Sequence, residues 1–221
     1  MYFADRAEAG RLLAKALSRY QGHDVVVYAL PRGGVTTAME IARFLKAPID
    51  LIIARKIGHP SAPEYAIAAI AEDGHMVGSE DELSMVDQKW LEREKERQRA
   101  EAKRRREKYL GGRAALPVEG RTAILVDDGV ATGLTLRVGI LELRHRRPKR
   151  LVVAVPVIPL STATLVRSEV DDLVALEIPE DREYLGAVGA YYEDFSPVED
   201  AEVIAMMERS APAATTRSGR E

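Results

Sequence analysis

The sequence predicts an α/β protein whose core is an open, mainly parallel sheet flanked by helices. Short apolar runs rich in β-branched residues recur between residues 23 and 178, and segments with helical spacing separate them. Turn residues such as the glycines at 33–34 and 111–112 mark the boundaries. Because 221 residues can bury one sizeable core, we expect a single domain over 1–209 with its core at about 20–180.

These patterns assign the elements in chain order. The expected strands are 23–30, 49–57, 121–128, 150–158 and 172–178, and the expected helices are 5–20, 36–46, 80–110, 134–146 and 161–170. Strands separated by helices are expected to run parallel. The stretch 80–110 is read as one long helix because it is dense in helix formers and contains no Gly or Pro.

The remaining segments are less regular. Residues 58–65 are predicted to be a loop without helix or strand, and one or two short strands should follow before residue 78. Residues 184–208 are expected to form a loop and then a short helix. The tail 210–221 lacks core-forming residues and is predicted to be disordered.

Composition excludes several classes of function. The net charge of −3 gives no global attraction to nucleic acid, and the basic stretch at 103–106 favours a solvated helix face over an RNA site. The chain has no cysteine, which excludes disulfides and thiolate metal sites and fits a cytoplasmic protein. No apolar run approaches the roughly 20 residues of a membrane span, so we expect no membrane contact.

The segment ILVDDGVATGLTL, residues 124–136, carries the clearest chemical signal. Asp127 and Asp128 follow a buried strand, where ligands bind in open α/β sheets. Two adjacent carboxylates there suit a pair of sugar hydroxyls, and the small loop that follows can direct backbone N–H groups at a phosphate. A plain strand-to-helix turn would not explain the second carboxylate. The segment lacks the patterns of a Walker loop and of a dinucleotide fingerprint.

Two further motifs follow predicted strands. In PRGG, residues 31–34, Gly33 and Gly34 allow close approach of a ligand and Arg32 supplies a forked cation, although an ordinary glycine turn is the alternative. Arg55 and Lys56 are expected at the end of the second strand, where they could contact a polyphosphate. A solvated basic pair is the alternative for these two residues.

Together these motifs resemble type I phosphoribosyltransferases. PRGG, RK followed by PEYAIAAIAEDG, the long charged helix, VDDGVATG and VGAYYEDFSPVEDAEV resemble a group of uncharacterised bacterial predicted phosphoribosyltransferases over about residues 3–208. The resemblance implies the type I fold with a small hood formed from parts of 58–78 and 180–208. It also implies a non-proline cis peptide bond at PRGG.

The resemblance implies a role for each motif. Arg32, Lys56, Asp127 and Asp128 would be catalytic. The donor-binding residues would be Arg32, Gly33, Gly34, Arg55, Lys56, Asp127, Asp128, Gly129, Val130, Ala131, Thr132, Gly133, Leu134 and Thr135. Tyr191, Tyr192 and Phe195 would line the acceptor pocket, with a packing clamp for the C-terminal segment as the alternative.

The implied activity is transfer of a 5-phosphoribosyl group from phosphoribosyl pyrophosphate (PRPP) to a nitrogenous base, with Mg²⁺ and release of pyrophosphate. The metal would be carried by PRPP, without direct protein ligands unless Asp127 or Asp128 reaches it through water. A homodimer fits the family. Ala131 replaces the Asp of 6-oxopurine enzymes, which argues against such an acceptor and leaves the base unnamed. The alternative is a regulatory protein that binds PRPP or a nucleotide without turnover.

Overall fold

The computed structural model describes residues 2–210 and contains two sheets. The strands are β1 Val25–Ala29, β2 Ile49–Leu51, β3 Ala54–His59, β4 Ala62–Ala71, β5 Met76–Gly78, β6 Thr122–Val126, β7 Arg150–Val157 and β8 Asp172–Glu177. The helices are α1 Arg6–Ala16, α2 Gly33–Leu45, α3 Glu80–Met85, α4 Gln88–Leu110, α5 Leu134–His145, α6 Leu160–Glu169 and α7 Asp200–Arg209. The main sheet has the order β2-β1-β6-β7-β8 and all its neighbouring strands are parallel. The predicted fold class is confirmed.

Helices cover both faces of the main sheet. Successive side chains of a strand point to opposite faces, so Val25 and Val27 pack with α1, α2, α4 and α7, whereas Val26 and Tyr28 pack with α5 and α6. Strands β1 and β6 are buried at every position. This two-sided burial explains why their sequences are continuous apolar runs.

The expected strand at 49–57 is two strands, which is a correction. It breaks at Ile52–Ile53, where the chain leaves the main sheet and enters an antiparallel sheet of order β3-β4-β5. The stretch 58–65, predicted to be a loop, continues β3 to His59 and begins β4 at Ala62. Both faces of this small sheet are covered, one by α3 and α4 and the other by α5, so the apolar run gave no sign of the change between sheets.

The predicted long helix is also divided. It breaks at Val86–Asp87, because Val86 has extended backbone and the Asp87 side chain accepts a hydrogen bond from the Trp90 N–H at 2.6 Å. Gly111 ends α4 in the left-handed conformation, with φ of 56°. Ala102, Tyr109 and Leu110 of α4 pack into the core on the face of the main sheet that α1, α2 and α7 also cover.

The carboxyl ends of the parallel strands bring the sequence motifs together. Ala29 of β1 lies opposite Val126 of β6, and the Leu30 N–H donates to the Val126 carbonyl at 3.0 Å. The PRGG segment therefore leaves the sheet beside Asp127 and Asp128. The predicted disorder of the tail falls outside the described residues, apart from Ser210. None of the described helices combines the length and apolar character needed to cross a bilayer.

A buried carboxyl group in α5 leads to a prediction on stability. Glu142 is 1% exposed, and burial raises its pKa to about 7 although Arg146 pairs with it. Between the unfolded pKa of about 4.3 and the folded value, the folded chain keeps a proton that the unfolded chain releases. The free energy of unfolding should therefore fall as pH rises through this window, by an amount on the order of 2–3 kcal/mol from this group.

Glu142→Gln should remove that part of the pH dependence. Urea unfolding of both proteins at about pH 5 and about pH 8 measures it. We expect the free energy of unfolding of the variant, relative to that of the wild type, to be higher at about pH 8 than at about pH 5. Parallel pH profiles for the two proteins would contradict the assignment.

Candidate functional site

The acidic pair lies just beyond the end of β6, with one oxygen of each carboxylate already bound. Asp127 Oδ1 accepts from the Asp128 N–H at 2.9 Å, and Asp128 Oδ2 accepts from Arg6 Nε at 2.7 Å. Within residues 2–210, no N–H group or hydroxyl donates to Asp127 Oδ2 or Asp128 Oδ1, although the two side chains are close enough to share a hydrogen bond when one of them is protonated. Each carboxylate thus keeps one oxygen for a ligand.

The two glycines of PRGG lie directly against this pair and begin α2. A methyl group on Gly33 would lie 1.8 Å from Asp128 Oδ2, and one on Gly34 would lie 3.1 Å from Asp127 Oδ1. Only glycine leaves room for the carboxylates in these positions. The preceding peptide bond, Pro31–Arg32, is cis, in agreement with what the resemblance implies.

The loop after the acidic pair presents unpaired N–H groups. The Val130 N–H donates to the Val157 carbonyl at 2.8 Å, which anchors the loop on β7, and Gly133 starts α5 with φ of 75°. In the described chain, the N–H groups of residues 131–136 donate to no protein acceptor. Because they surround the N-terminus of a helix of 12 residues, they can bind an anion.

Ionisation of Asp127 is unfavourable in this site. Burial, followed by the neighbouring Asp128 carboxylate, raises the pKa of Asp127 well above its usual range. Hydroxyl donors or a cation at the free oxygens would stabilise the charged form. Within residues 2–210 there is no group of three or more His, Cys, Asp or Glu side chains arranged to hold a metal ion.

Arg6 belongs to the site and sequence reasoning missed it. Its guanidinium contacts Asp128, donates from Nη1 to the Ser196 carbonyl at 2.8 Å, and stacks on Phe195 with Cζ 3.7 Å from the ring centroid. Arg6 begins an ordinary amphipathic helix 122 residues before its partner. No local pattern marks it, and only the packing of α1 beside the sheet edge brings it here.

The structure separates the predicted basic residues. The guanidinium of Arg32 lies 3.7 Å from the carboxylates of Glu199 and Asp200, at the start of α7. Its backbone, however, adjoins Gly33 and so remains beside the acidic pair. The side chain of Arg32 is therefore turned toward α7.

Arg55 and Lys56 do not end a strand of the main sheet, which corrects their expected place. They are interior residues of β3 and point to opposite faces of the small sheet. Arg55 Nε donates to Gln98 Oε1 of α4 at 3.1 Å. Lys56 pairs with Ala69, on the face that packs against Leu134 at the start of α5. Of these two residues, only Lys56 lies on the sheet face toward α5.

The aromatic residues predicted for the acceptor pocket pack mainly into the core. Tyr191 and Tyr192 are buried with Phe3 and Val157, and the Tyr192 hydroxyl donates to the Asp128 carbonyl at 2.6 Å. Two buried rings cannot sandwich a base, so the geometry favours the packing alternative for both. Phe195 is half-buried, and the Arg6 guanidinium lies over its ring.

Comparisons with known proteins agree with this geometry. The family described as "Phosphoribosyl transferase domain" matches residues 4–186. A protein of Mycobacterium tuberculosis named "Putative phosphoribosyl transferase", found in two strains, is 38% identical over 210 residues, or 94% of this chain. The match covers 47% of that protein, so the chain spans about half the length of these curated relatives.

A solved structure gives the same result for the fold. The crystal structure of TT1426 from Thermus thermophilus is 41% identical, with a TM-score of 0.80, over 96% of this chain and 100% of the other. The family match spans most of the chain and includes both PRGG and the acidic pair. This chain is a member of the phosphoribosyl transferase family.

Proposed function

We propose that this chain transfers a 5-phosphoribosyl group from PRPP to a nitrogenous base and releases pyrophosphate. The observation that carries the proposal is the pairing, at one sheet edge, of two carboxylates with free oxygens and a loop with unpaired N–H groups. These two features complement the two ends of ribose 5-phosphate, its ring hydroxyls and its phosphate. Membership of the phosphoribosyl transferase family supports the same donor.

Each part of the site has one task in donor binding. The N–H groups of residues 131–136 hold the 5-phosphate, and the hydroxyl of the exposed Thr132 adds a donor. Asp127 Oδ2 and Asp128 Oδ1 accept hydrogen bonds from the ribose hydroxyls. The backbone at Gly33 and Gly34, which lies against both carboxylates, is the proposed contact for the pyrophosphate.

In the reaction, the bond from the anomeric carbon to pyrophosphate breaks and a bond to a base nitrogen forms. The base nitrogen loses its proton, and pyrophosphate leaves with both electrons of the broken bond. Positive charge develops on the ribose ring as pyrophosphate departs, and the two carboxylates lie where they can stabilise it. Lys56, on the sheet face near α5, is the residue we propose to meet the charge of the leaving group.

Mg²⁺ fits the donor set of this site. It prefers oxygen ligands and retains water, and the free carboxylate oxygens of Asp127 and Asp128 suit contact through water. Bound to the donor, the ion would neutralise charge on the departing pyrophosphate. The protein residues would then orient the ribose rather than enclose the metal.

The acceptor is a base that needs no carboxylate at position 131. Ala131 is exposed at the mouth of the loop, and its carbonyl accepts from Thr162 Oγ1 at 3.1 Å. Because Ala131 has no carboxyl group, a side chain at this position cannot accept or donate the proton of a 6-oxopurine. The small sheet at 54–78 and the half-buried Phe195 are the proposed borders of the acceptor pocket.

Turnover with a panel of bases tests the proposal. The chain is incubated with PRPP, Mg²⁺ and each purine, pyrimidine or other nitrogen heterocycle, and release of pyrophosphate is followed. We expect release that depends on both Mg²⁺ and one class of acceptor. Donor binding without turnover on any acceptor would instead support a PRPP-binding regulatory protein, and failure to bind PRPP would contradict both.

A further inference from the structure

Arg6 is a buried cation at which four separate parts of the chain meet. Its side chain is 10% exposed and touches Asp128 after β6, the Ser196 carbonyl and the ring of Phe195. A methyl group on Gly33 would also lie 2.8 Å from Arg6 Nε. The N-terminal helix, PRGG, the acidic pair and the late aromatic segment therefore meet at this guanidinium.

The same contacts fix one orientation of Asp128. Its Oδ2 lies between Arg6 Nε and the backbone of Gly33, its N–H donates to Asp127, and its carbonyl accepts from the Tyr192 hydroxyl. Only Oδ1 is left to meet a ligand. A carboxylate that is held by Arg6, on a backbone fixed at both its N–H and its carbonyl, is pre-organised, which lowers the entropy cost of binding a hydroxyl.

The contacts of Arg6 suit a residue that fixes the orientation of the Asp128 carboxylate better than one that only supplies charge. Nε and Nη1 donate along two edges of the planar group while its face rests on Phe195. A guanidinium can make these contacts together because its donors form a rigid fork and its face stacks on aromatic rings. A lysine ammonium in this place could keep the charge but would lose the fork and the stacking.

We propose that Arg6 is a positioning residue of the donor site, which holds Asp128 so that Oδ1 faces a ribose hydroxyl. This inference rests on the proposed function, because it assumes that the acidic pair binds the ribose. It adds a residue outside the sequence motifs and gives Phe195 and Ser196 a role in supporting it. An ion pair that only attaches α1 to the sheet is the competing explanation.

Two fragments of the donor separate these explanations. Titration calorimetry measures the binding of ribose 5-phosphate, which needs the acidic pair, and of pyrophosphate without Mg²⁺, which does not. The proteins compared are wild type, Arg6→Ala, Arg6→Lys and Arg11→Ala, whose side chain is exposed on the same helix. Circular dichroism and melting temperatures check that each variant is folded.

We expect Arg6→Ala to bind ribose 5-phosphate about tenfold or more weakly, because a charge-assisted contact that orders Asp128 is lost. Pyrophosphate binding should be unchanged. Arg6→Lys should be intermediate, and Arg11→Ala should match the wild type. If Arg6→Ala does not fold, Phe195→Leu keeps the cation, removes the ring beneath it, and should give a smaller loss confined to ribose 5-phosphate.

Equal weakening of both ligands would overturn the inference, because it would mean that Arg6 only maintains the fold of the site. Unchanged binding of ribose 5-phosphate in the folded Arg6→Ala variant, or in Phe195→Leu if that variant replaces it, would also overturn it, while leaving the proposed function in place. A wild-type chain that binds neither ligand would contradict the proposed function itself, and the inference would fall with it.

Discussion

Replacing both members of the acidic pair, in the variant Asp127→Asn/Asp128→Asn, is expected to cause a large loss of PRPP affinity. Each free carboxylate oxygen accepts one charge-assisted hydrogen bond in the proposed complex, and each such bond contributes about 1.5–3 kcal/mol. Loss of both should weaken binding by about a hundredfold or more. Titration calorimetry with PRPP and Mg²⁺ measures the change.

The single variant Asp127→Asn serves as the matched control for folding. It keeps the contact between Arg6 and Asp128 and the hydrogen bond at Asp127 Oδ1, and it removes a charge that burial and Asp128 disfavour. Its melting temperature should therefore equal or exceed that of the wild type, although its PRPP binding is weaker. Normal PRPP affinity in the double variant would contradict both the enzyme and the regulatory alternative.

Gly33→Ala is expected to have a comparably large effect, by displacement rather than by loss of charge. The new methyl group would lie 1.8 Å from Asp128 Oδ2 and 2.6 Å from its Cγ, so the carboxylate or the start of α2 must move. Overpacking of this kind costs about 1–3 kcal/mol of stability. Because the displaced group is the proposed ribose contact, PRPP affinity should fall by about tenfold or more.

Gly22→Ala is the control for this change. A methyl group there meets no atom within 4 Å, and the φ of 76° brings only backbone strain. This variant should lose on the order of 1 kcal/mol of stability and keep full PRPP affinity. Wild-type PRPP affinity in Gly33→Ala would show that the Asp128 carboxylate does not need its present position.

The parallel sheet and the motif at its edge could be predicted because their signals are local. The run before Asp127 is buried on both faces, and the two aspartates after it are followed by glycine, small residues and a helix. PRGG likewise follows a buried strand directly. Parallel strands place such segments at one edge whatever the rest of the chain does, so the meeting of the two motifs follows from topology.

The features that could not be predicted depend on contacts distant in the sequence. Arg6 becomes part of the site only because α1 packs beside the end of β6. The chain leaves the main sheet at Ile52–Ile53 inside an unbroken apolar run, since both neighbouring sheets are covered by helices. Tyr192 is an aromatic residue of the kind that stacks on bases. Its ring is buried, however, and its hydroxyl donates to the Asp128 carbonyl, so it holds the backbone of the acidic pair in place.

A crystal structure of the chain with PRPP and Mg²⁺ would show directly whether the loop and the acidic pair bind the donor. We expect the 5-phosphate oxygens to accept from N–H groups of residues 131–136 while the ribose hydroxyls donate to Asp127 Oδ2 and Asp128 Oδ1. A 5-phosphate bound away from this loop, or a ribose without contact to either carboxylate, would contradict it.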